Sequence, residues 1–281
     1  MTILSFQSSV AYGHVGNAAA VFCLRRAGFE VWPVDTVMFS NHPGYPSFRG
    51  RPRDTADIVE VVEGLDELGV LKTCRAVISG YLGSKETGEA VLRAAERVKE
   101  LNPDALFCCD PVMGDSDSGL YVSAGLSGFF RTRAVSAADI LMPNHFELEV
   151  LVEHSVETAT EVLSATDLLL SRGARLVVVT SLHTPNMTPD TIANLVATKE
   201  GAWMVSTPRL PLAAKGAGDA LAALFLGYYL QEGNAGGALS RAVSSVFAVI
   251  KASHHASELR LIEAQDAIAE PPRRFLARKV R

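Results

Sequence analysis

Short apolar, β-rich runs alternate with helical patterns along most of this chain, and that alternation constrains the fold more than any other feature. Ile3-Leu4-Ser5-Phe6 leads through a glycine-punctuated loop into a helical pattern from about Asn17 to Ala27. Glu30 to Phe39 is a second extended run; its Pro33 cannot donate to a ladder, which points to an edge or a bulge. Helical stretches from about Thr55 to Leu68 and Lys85 to Glu100 precede the runs Ala76 to Ser79 and Ala105 to Asp110. Ile140-Leu141-Met142 and Leu176 to Thr180 follow in the same manner. Strands that are apolar almost throughout must be covered on both faces, and helices between them allow parallel crossovers. The spacing predicts an α/β chain with a mainly parallel sheet between helices.

The stretch from Thr191 to Ser206 breaks the alternation and reads as a hairpin turning at Lys199-Glu200-Gly201. Two helices are expected after it, near 219–231 and 235–253. No linker, repeat or low-complexity segment divides the chain, so residues 1–281 read as one domain. A net charge of −5 favours neither nucleic acid nor an anionic membrane, and no apolar run is long enough to span one. The basic cluster Arg273-Arg274…Arg278-Lys279…Arg281 reads as a solvated tail. Four cysteines lack metal or disulfide spacing and read as buried reduced thiols, Cys108 and Cys109 facing opposite sides of one strand. A cytoplasmic protein is the expectation.

Chemistry concentrates first at Lys215-Gly216-Ala217-Gly218-Asp219, directly before the helix-forming run Ala220 to Phe225. Two glycines let the backbone turn tightly and let a ligand approach its amides, while the helix aims free N–H groups and its positive dipole end at that ligand. Such a corner suits a phosphate. Asp219 beside it is unfavourable for an anion unless it accepts a proton from an attacking hydroxyl. The plainer reading is a loop with an Asp cap. As a base, Asp219 should stay ionised at neutral pH, because dipole and amides favour the anion.

Ligands of open parallel sheets lie beyond the carboxyl ends of the strands. Ser8 and Ser9 follow the first run, Ser40-Asn41-His42 the second and Gly80-Tyr81-Leu82-Gly83 the third. Asp110-Pro111-Val112-Met113-Gly114-Asp115 and Pro143-Asn144-His145-Phe146-Glu147 follow the next two. Taken singly, Asp110 is a turn residue, Asn144 and Glu147 a capping box, and His42 a structural histidine. Together, Asp110, Asp115, Asn144 and Glu147 place hard oxygen donors opposite the anion corner, as Mg²⁺–ATP would require.

These motifs, in this order, resemble the ribokinase-like vitamin kinases, and among them the bacterial pyridoxal kinases, from about Ile3 to Ile268. Gln7-Ser8, Val10 to Asn17, Thr36 to His42, Ser79 to Gly83, Asp110 to Asp115 and Gly216 to Asp219 carry the resemblance. It implies a three-layer α/β/α sandwich without a lid domain, acting as a homodimer. It implies transfer of the ATP γ-phosphate to the 5′-hydroxymethyl group of pyridoxal, giving pyridoxal 5′-phosphate, with Mg²⁺ and room for a monovalent cation. By the same resemblance Ser8, His42, Pro43, Gly44 and Tyr81 border the substrate. Met142, Thr180, Thr207, Pro208, Arg209 and Leu210 border the nucleotide, and Asp110 and Glu147 organise nucleotide and metal, directly or through water. Gly216, Ala217 and Gly218 hold the phosphoryl group and Asp219 is the base.

The chain departs from the pattern at three places. Pro43-Gly44 replaces a polar pair, Leu120 stands where some relatives carry an aldehyde-trapping cysteine, and Thr180 stands where a lysine is common. A hydroxymethylpyrimidine kinase is the nearest alternative, disfavoured because such relatives open with a Pro-Ser-Gly-Gly-like loop in place of Tyr12-Gly13-His14. A silent binder of pyridoxal 5′-phosphate would not need Asp219. Gly13-His14-Val15-Gly16 lacks the dinucleotide-binding spacing, which disfavours a dehydrogenase.

Overall fold

In chain order the strands are β1 (Thr2–Val10), β2 (Glu30–Phe39), β3 (Gly50–Pro52), β4 (Cys74–Ser79), β5 (Leu106–Cys109), β6 (Gly114–Asp115), β7 (Gly119–Leu120), β8 (Ile140–Leu141), β9 (Leu176–Leu182), β10 (Thr191–Thr198), β11 (Gly201–Pro208) and β12 (Arg278–Lys279). The helices are α1 (Asn17–Arg26), α2 (Thr55–Glu67), α3 (Lys85–Leu101), α4 (Ala124–Phe129), α5 (Val135–Ala137), α6 (His145–Val152), α7 (Ala159–Ser171), α8 (Ala217–Glu232), α9 (Ala235–Ala252) and α10 (Asp266–Ala269). This computed structural model describes residues 1–185, 187–210 and 214–281. Ten strands form one sheet in the order β12-β11-β10-β9-β8-β5-β4-β1-β2-β3, and β6 pairs with β7 in a small separate hairpin.

Six neighbouring strands, β2-β1-β4-β5-β8-β9, pair in parallel, as the alternation with helices predicts. Their side chains divide by parity. Leu4, Phe6, Val77, Cys109 and Val177 enter one apolar layer, covered by α2, α3, α4, α6 and α7. Ile3, Ala76, Ile78, Cys108 and Val178 enter the other, covered by α1, α8 and α9. Helices on both faces give the three-layer sandwich, and Cys108 and Cys109 part to opposite faces. All four cysteines are free and buried. Among the described residues no helix is long and apolar enough to cross a membrane.

Pro33 sits opposite Ser5, in the half of β2 that β3 does not reach, since β3 pairs only with Val37 to Phe39. A register shift between Gln7 and Ser9 sets two residues of β2, Thr36 and Val37, against the single Ser8 of β1, which puts a bulge in β2 itself. The hairpin β10–β11 is antiparallel and closes with Thr198 opposite Gly201.

Two expectations need correction. Ser8 and Ser9 do not follow the first strand: β1 runs to Val10, because β2 continues to pair with it at Ser9 and Val10. The basic tail is exposed, as expected, but part of it is a strand and not irregular chain. Arg278 and Lys279 pair with Met204 and Trp203 as an edge strand, and Arg281 reaches Asp167 at 2.6 Å and the Thr198 carbonyl at 3.2 Å. An edge strand rich in arginine and lysine closes the sheet with little risk of further pairing.

Candidate active site

Gly216 opens α8 with φ of 100°, a left-handed conformation. A Cβ there would lie 1.8 Å from the carbonyl oxygen of His14, so the corner accepts glycine alone. Ala217 and Gly218 follow in the first helical turn. They line a cavity of about 210 Å³ together with Thr180, Ser181 and the predicted segment Thr207, Pro208, Arg209 and Leu210. The apolar face of α9 closes it through Val243, Val246, Phe247 and Ile250. The amides of an open helix start thus border a cleft with an apolar wall, the requirements of a nucleotide's phosphates and base.

Asp219 is half-buried, with its carboxyl group on the enclosed side. Burial pushes that group up to about 6, against the opposing pull of the Gly16 amide and its own amide. The sequence led to an ionised Asp219 on the ground that helix dipole and amides favour the anion. Burial outweighs them, although a group near 6 is still largely ionised at neutral pH. A base poised close to the operating pH is suited to proton transfer. The same Gly16, at φ 55°, packs against Ser8: a Cβ would meet the Ser8 carbonyl oxygen at 2.1 Å and its Oγ at 2.4 Å. Asp219 therefore stands between the phosphate corner and the end of β1.

The carboxylate edge is built from two strand ends. Glu147 is buried, and burial pushes its carboxyl up to about 7 against the amides of Asn144, Met113 and Gly114. Its Oε1 accepts from Met113 N at 2.8 Å and its Oε2 from Asn144 N at 2.9 Å. The reciprocal bond, Glu147 N to Asn144 Oδ1 at 2.8 Å, completes the expected capping box at the start of α6. The capping box is the device that fixes the carboxylate. Burial also raises Asp110 well above the usual carboxylate range, helped by the charges of Glu147 and Asp219. Among the described residues nothing donates to the Asp110 carboxylate. For Asp115, burial acts upward, but the Ser118 amide at 2.7 Å and the charge of Lys215 bring it below its ordinary value.

No group of three or more His, Cys, Asp or Glu among the described residues could hold a metal ion. An unpaired carboxylate beside a fixed one fits Mg²⁺, which takes few protein ligands and keeps waters and phosphate oxygens. With both oxygens held by amides, Glu147 would act through water and Asp110 directly.

The ring side is a loop. Ser40 and Arg49 close its neck through Ser40 N to Arg49 O at 2.7 Å and Arg49 N to Ser40 Oγ at 2.9 Å. His42 Nδ1 accepts from Gly44 N at 2.9 Å, and burial followed by the charge of Lys215 lowers its pKa. The imidazole is thus neutral at pH 7, with its proton on Nε2. Pro43 and Gly44 are exposed. Tyr81 is half-buried beyond β4, its carbonyl accepting from Thr36 Oγ1 at 2.6 Å.

Met142 does not line the cavity: it is 2% exposed in the layer beneath α8. It follows β8 directly and stands two residues before Asn144. Ser181 and Tyr121 were missed in the sequence, and Lys215 was named there in its motif without a role. Ser181 is left-handed at φ 52° and donates to Asn194 Oδ1 at 3.3 Å, beside a register shift between β9 and β10 that opens the cavity mouth. Lys215 is the cation whose charge reaches both His42 and Asp115. Tyr121, whose hydroxyl burial raises, lies within reach of the charges of Glu147, Asp110, Asp115 and Asp219.

A phosphate corner, a poised carboxylate and a carboxylate edge on one side of a parallel sheet define a small-molecule kinase. Residues 65–261 match the phosphomethylpyrimidine kinase family. Over the whole chain, the pyridoxal kinase PdxY of Rubrobacter xylanophilus is 50% identical, with 98% of that protein covered. The PdxY of Deinococcus radiodurans is 44% identical over 99% of this chain and 96% of its own. The pyridoxal kinase of Leishmania donovani, solved with ADP and pyridoxamine, superposes with a TM-score of 0.93 at 27% identity, over 100% of this chain and 99% of its own. The chain belongs to the phosphomethylpyrimidine kinase family, in its pyridoxal kinase branch.

Proposed function

We propose that this protein transfers the γ-phosphoryl group of ATP to the 5′-hydroxymethyl group of pyridoxal, giving pyridoxal 5′-phosphate. One observation carries the reading: Asp219 belongs to the turn that borders the nucleotide cavity and is held through Gly16 against Ser8 of β1. A base placed between the two substrates can take the hydroxyl proton as the new bond to phosphorus forms. An alcohol is too weak an acid to be deprotonated beforehand, so the transfer belongs to the transition state. The amides of Gly216 to Gly218 face the developing charge on the phosphoryl oxygens. Mg²⁺, when bound at Asp110 and Glu147, would neutralise phosphate charge. Ser8 and the neutral His42 supply hydrogen-bonding groups for the pyridine ring, with Tyr81 and Pro43-Gly44 along its border.

A homodimer belongs to the same reading and is supported by exposed Met38 and Phe48 at the β2–β3 edge of the sheet. A cytoplasmic site of action is supported by four free, buried thiols. The test is direct. Purified protein with Mg²⁺–ATP is offered pyridoxal, pyridoxine, pyridoxamine and hydroxymethylpyrimidine, and phosphorylated product is measured by mass. Pyridoxal 5′-phosphate is expected. Product from hydroxymethylpyrimidine alone would assign the protein to pyrimidine phosphorylation instead.

A further inference from the structure

We propose that Glu258, 39 residues beyond Asp219 in the chain, is a positioning residue that latches the ring-side loop to the phosphoryl corner. Its two carboxylate oxygens are shared between two distant segments. Tyr45, in the loop that carries His42, donates its hydroxyl to Glu258 Oε1 at 2.5 Å. The backbone N–H of His14 donates to Glu258 Oε2 at 3.3 Å. Gly13, at φ 98°, leaves the space that the carboxylate fills, since a Cβ there would lie 2.3 Å from Oε2. Tyr12 adds an edge-on contact with Tyr45, ring centres 6.1 Å apart.

The other side of the same segment meets the catalytic corner. The carbonyl of His14 is the atom against which Gly216 packs, and Leu259, buried beside Glu258, would meet a Cβ at Gly216 at 3.3 Å. Residues 13–14 are thus clamped between Glu258 and the start of the helix that bears Asp219. The base of the latch is fixed in turn: Ser253 Oγ accepts from Arg260 N at 2.9 Å, tying the segment after α9 back to the helix end. A carboxylate can accept both bonds. Alanine offers no acceptor, so Glu258→Ala releases the Tyr45 hydroxyl and the His14 N–H together. Glu258 touches neither reacting group, so its influence on the reaction runs through the loop and the corner.

The kinetic part of the test rests on the function proposed above, and hydrogen exchange does not. In Tyr45→Phe, amides at 42–48 should exchange faster without any ligand, by about three- to tenfold, the effect of losing one charge-assisted bond at a partly exposed site. KM for pyridoxal should rise by a similar factor, with kcat and KM for ATP unchanged. Glu258→Ala should repeat both effects and lower kcat as well, because it also releases His14 behind Gly216. The double variant should be no worse in KM than Glu258→Ala alone, the non-additivity of one shared bond. Unchanged exchange at 42–48 in a Tyr45→Phe protein of normal Tm would overturn the latch. Parallel rises in KM for both substrates, or additive effects in the double variant, would overturn its coupling to the ring side. Were wild-type protein to leave pyridoxal untouched, the substrate assignment would fall while exchange still decided the latch.

Discussion

The two sides of the active-site edge are made of different materials. On the phosphoryl side, polar groups sit at strand ends and a helix start, and backbone amides fix them: Met113 and Asn144 hold Glu147, Gly16 holds Asp219. On the proposed ring side, His42 rides on an exposed loop whose internal bonds include His42 to Gly44 and Asn41 Nδ2 to the Ser47 carbonyl at 2.9 Å. In the reaction proposed above, the first arrangement would aim charge at a transition state and the second would follow a substrate's outline. Variants on the phosphoryl side should act on kcat, and variants on the ring side on KM.

Asp219→Asn tests the contrast most severely. It keeps size and turn geometry and removes the base, so kcat should fall by about 10²–10⁴. Near-wild-type turnover in a folded Asp219→Asn protein would reduce Asp219 to a cap. The same variant should raise Tm at pH 8. The raised carboxyl favours folding while protonated, an advantage present below its unfolded value of 3.8 and lost as pH rises through about 6. Above that window a buried charge opposes folding and asparagine removes it. The gain should shrink towards pH 4, and a Tm difference independent of pH would show that the charge is not the cause.

Glu147→Gln and Asp110→Asn come next, with losses of about 10–100-fold in kcat/KM for Mg²⁺–ATP, the usual effect of disturbing groups around a metal. Pyridoxal binding, followed by fluorescence without nucleotide, should stay close to wild type. A large loss of that binding would move the two carboxylates to the ring pocket. The pH profile is gentler. Because the base must be ionised, kcat/KM should climb as pH rises through about 6 and level off above it. The smallest effect belongs to the ring side. His42→Ala should raise KM for pyridoxal a few-fold and leave kcat alone, and an equal fall in kcat would erase the contrast drawn here.

The sheet was legible because alternation of apolar runs with helices is dictated by burial on both faces, and Leu4/Ile3 or Cys109/Cys108 parity follows from strand geometry. Gly216 to Asp219 and the Asn144–Glu147 box were legible because turn and cap chemistry are local. What sequence concealed is non-local. The stripe Val243, Val246, Phe247 and Ile250 has ordinary helical spacing, and nothing in it separates a wall facing a cavity from one facing the core. Met142, two residues before Asn144, packs beneath α8 instead of lining the cavity, and nothing in its spacing separates the two places. Arg278-Lys279 read as tail because two charged residues carry no strand signal until β11 offers an edge. The pKa of Asp219 depended on how deeply its carboxyl is enclosed, a quantity that spacing does not encode.

The cysteines give the fold a built-in reporter. Burial pushes the thiols of Cys23 and Cys109 up to about 12 and that of Cys74 to about 11, so at pH 8 the native protein offers almost no thiolate to an alkylating reagent. Labelling then counts opening events instead of surface chemistry. Cys23 and Cys108 lie in the layer under α8, Cys74 and Cys109 in the layer under α3, so the order in which the four take up reagent tells which helical cover lifts first.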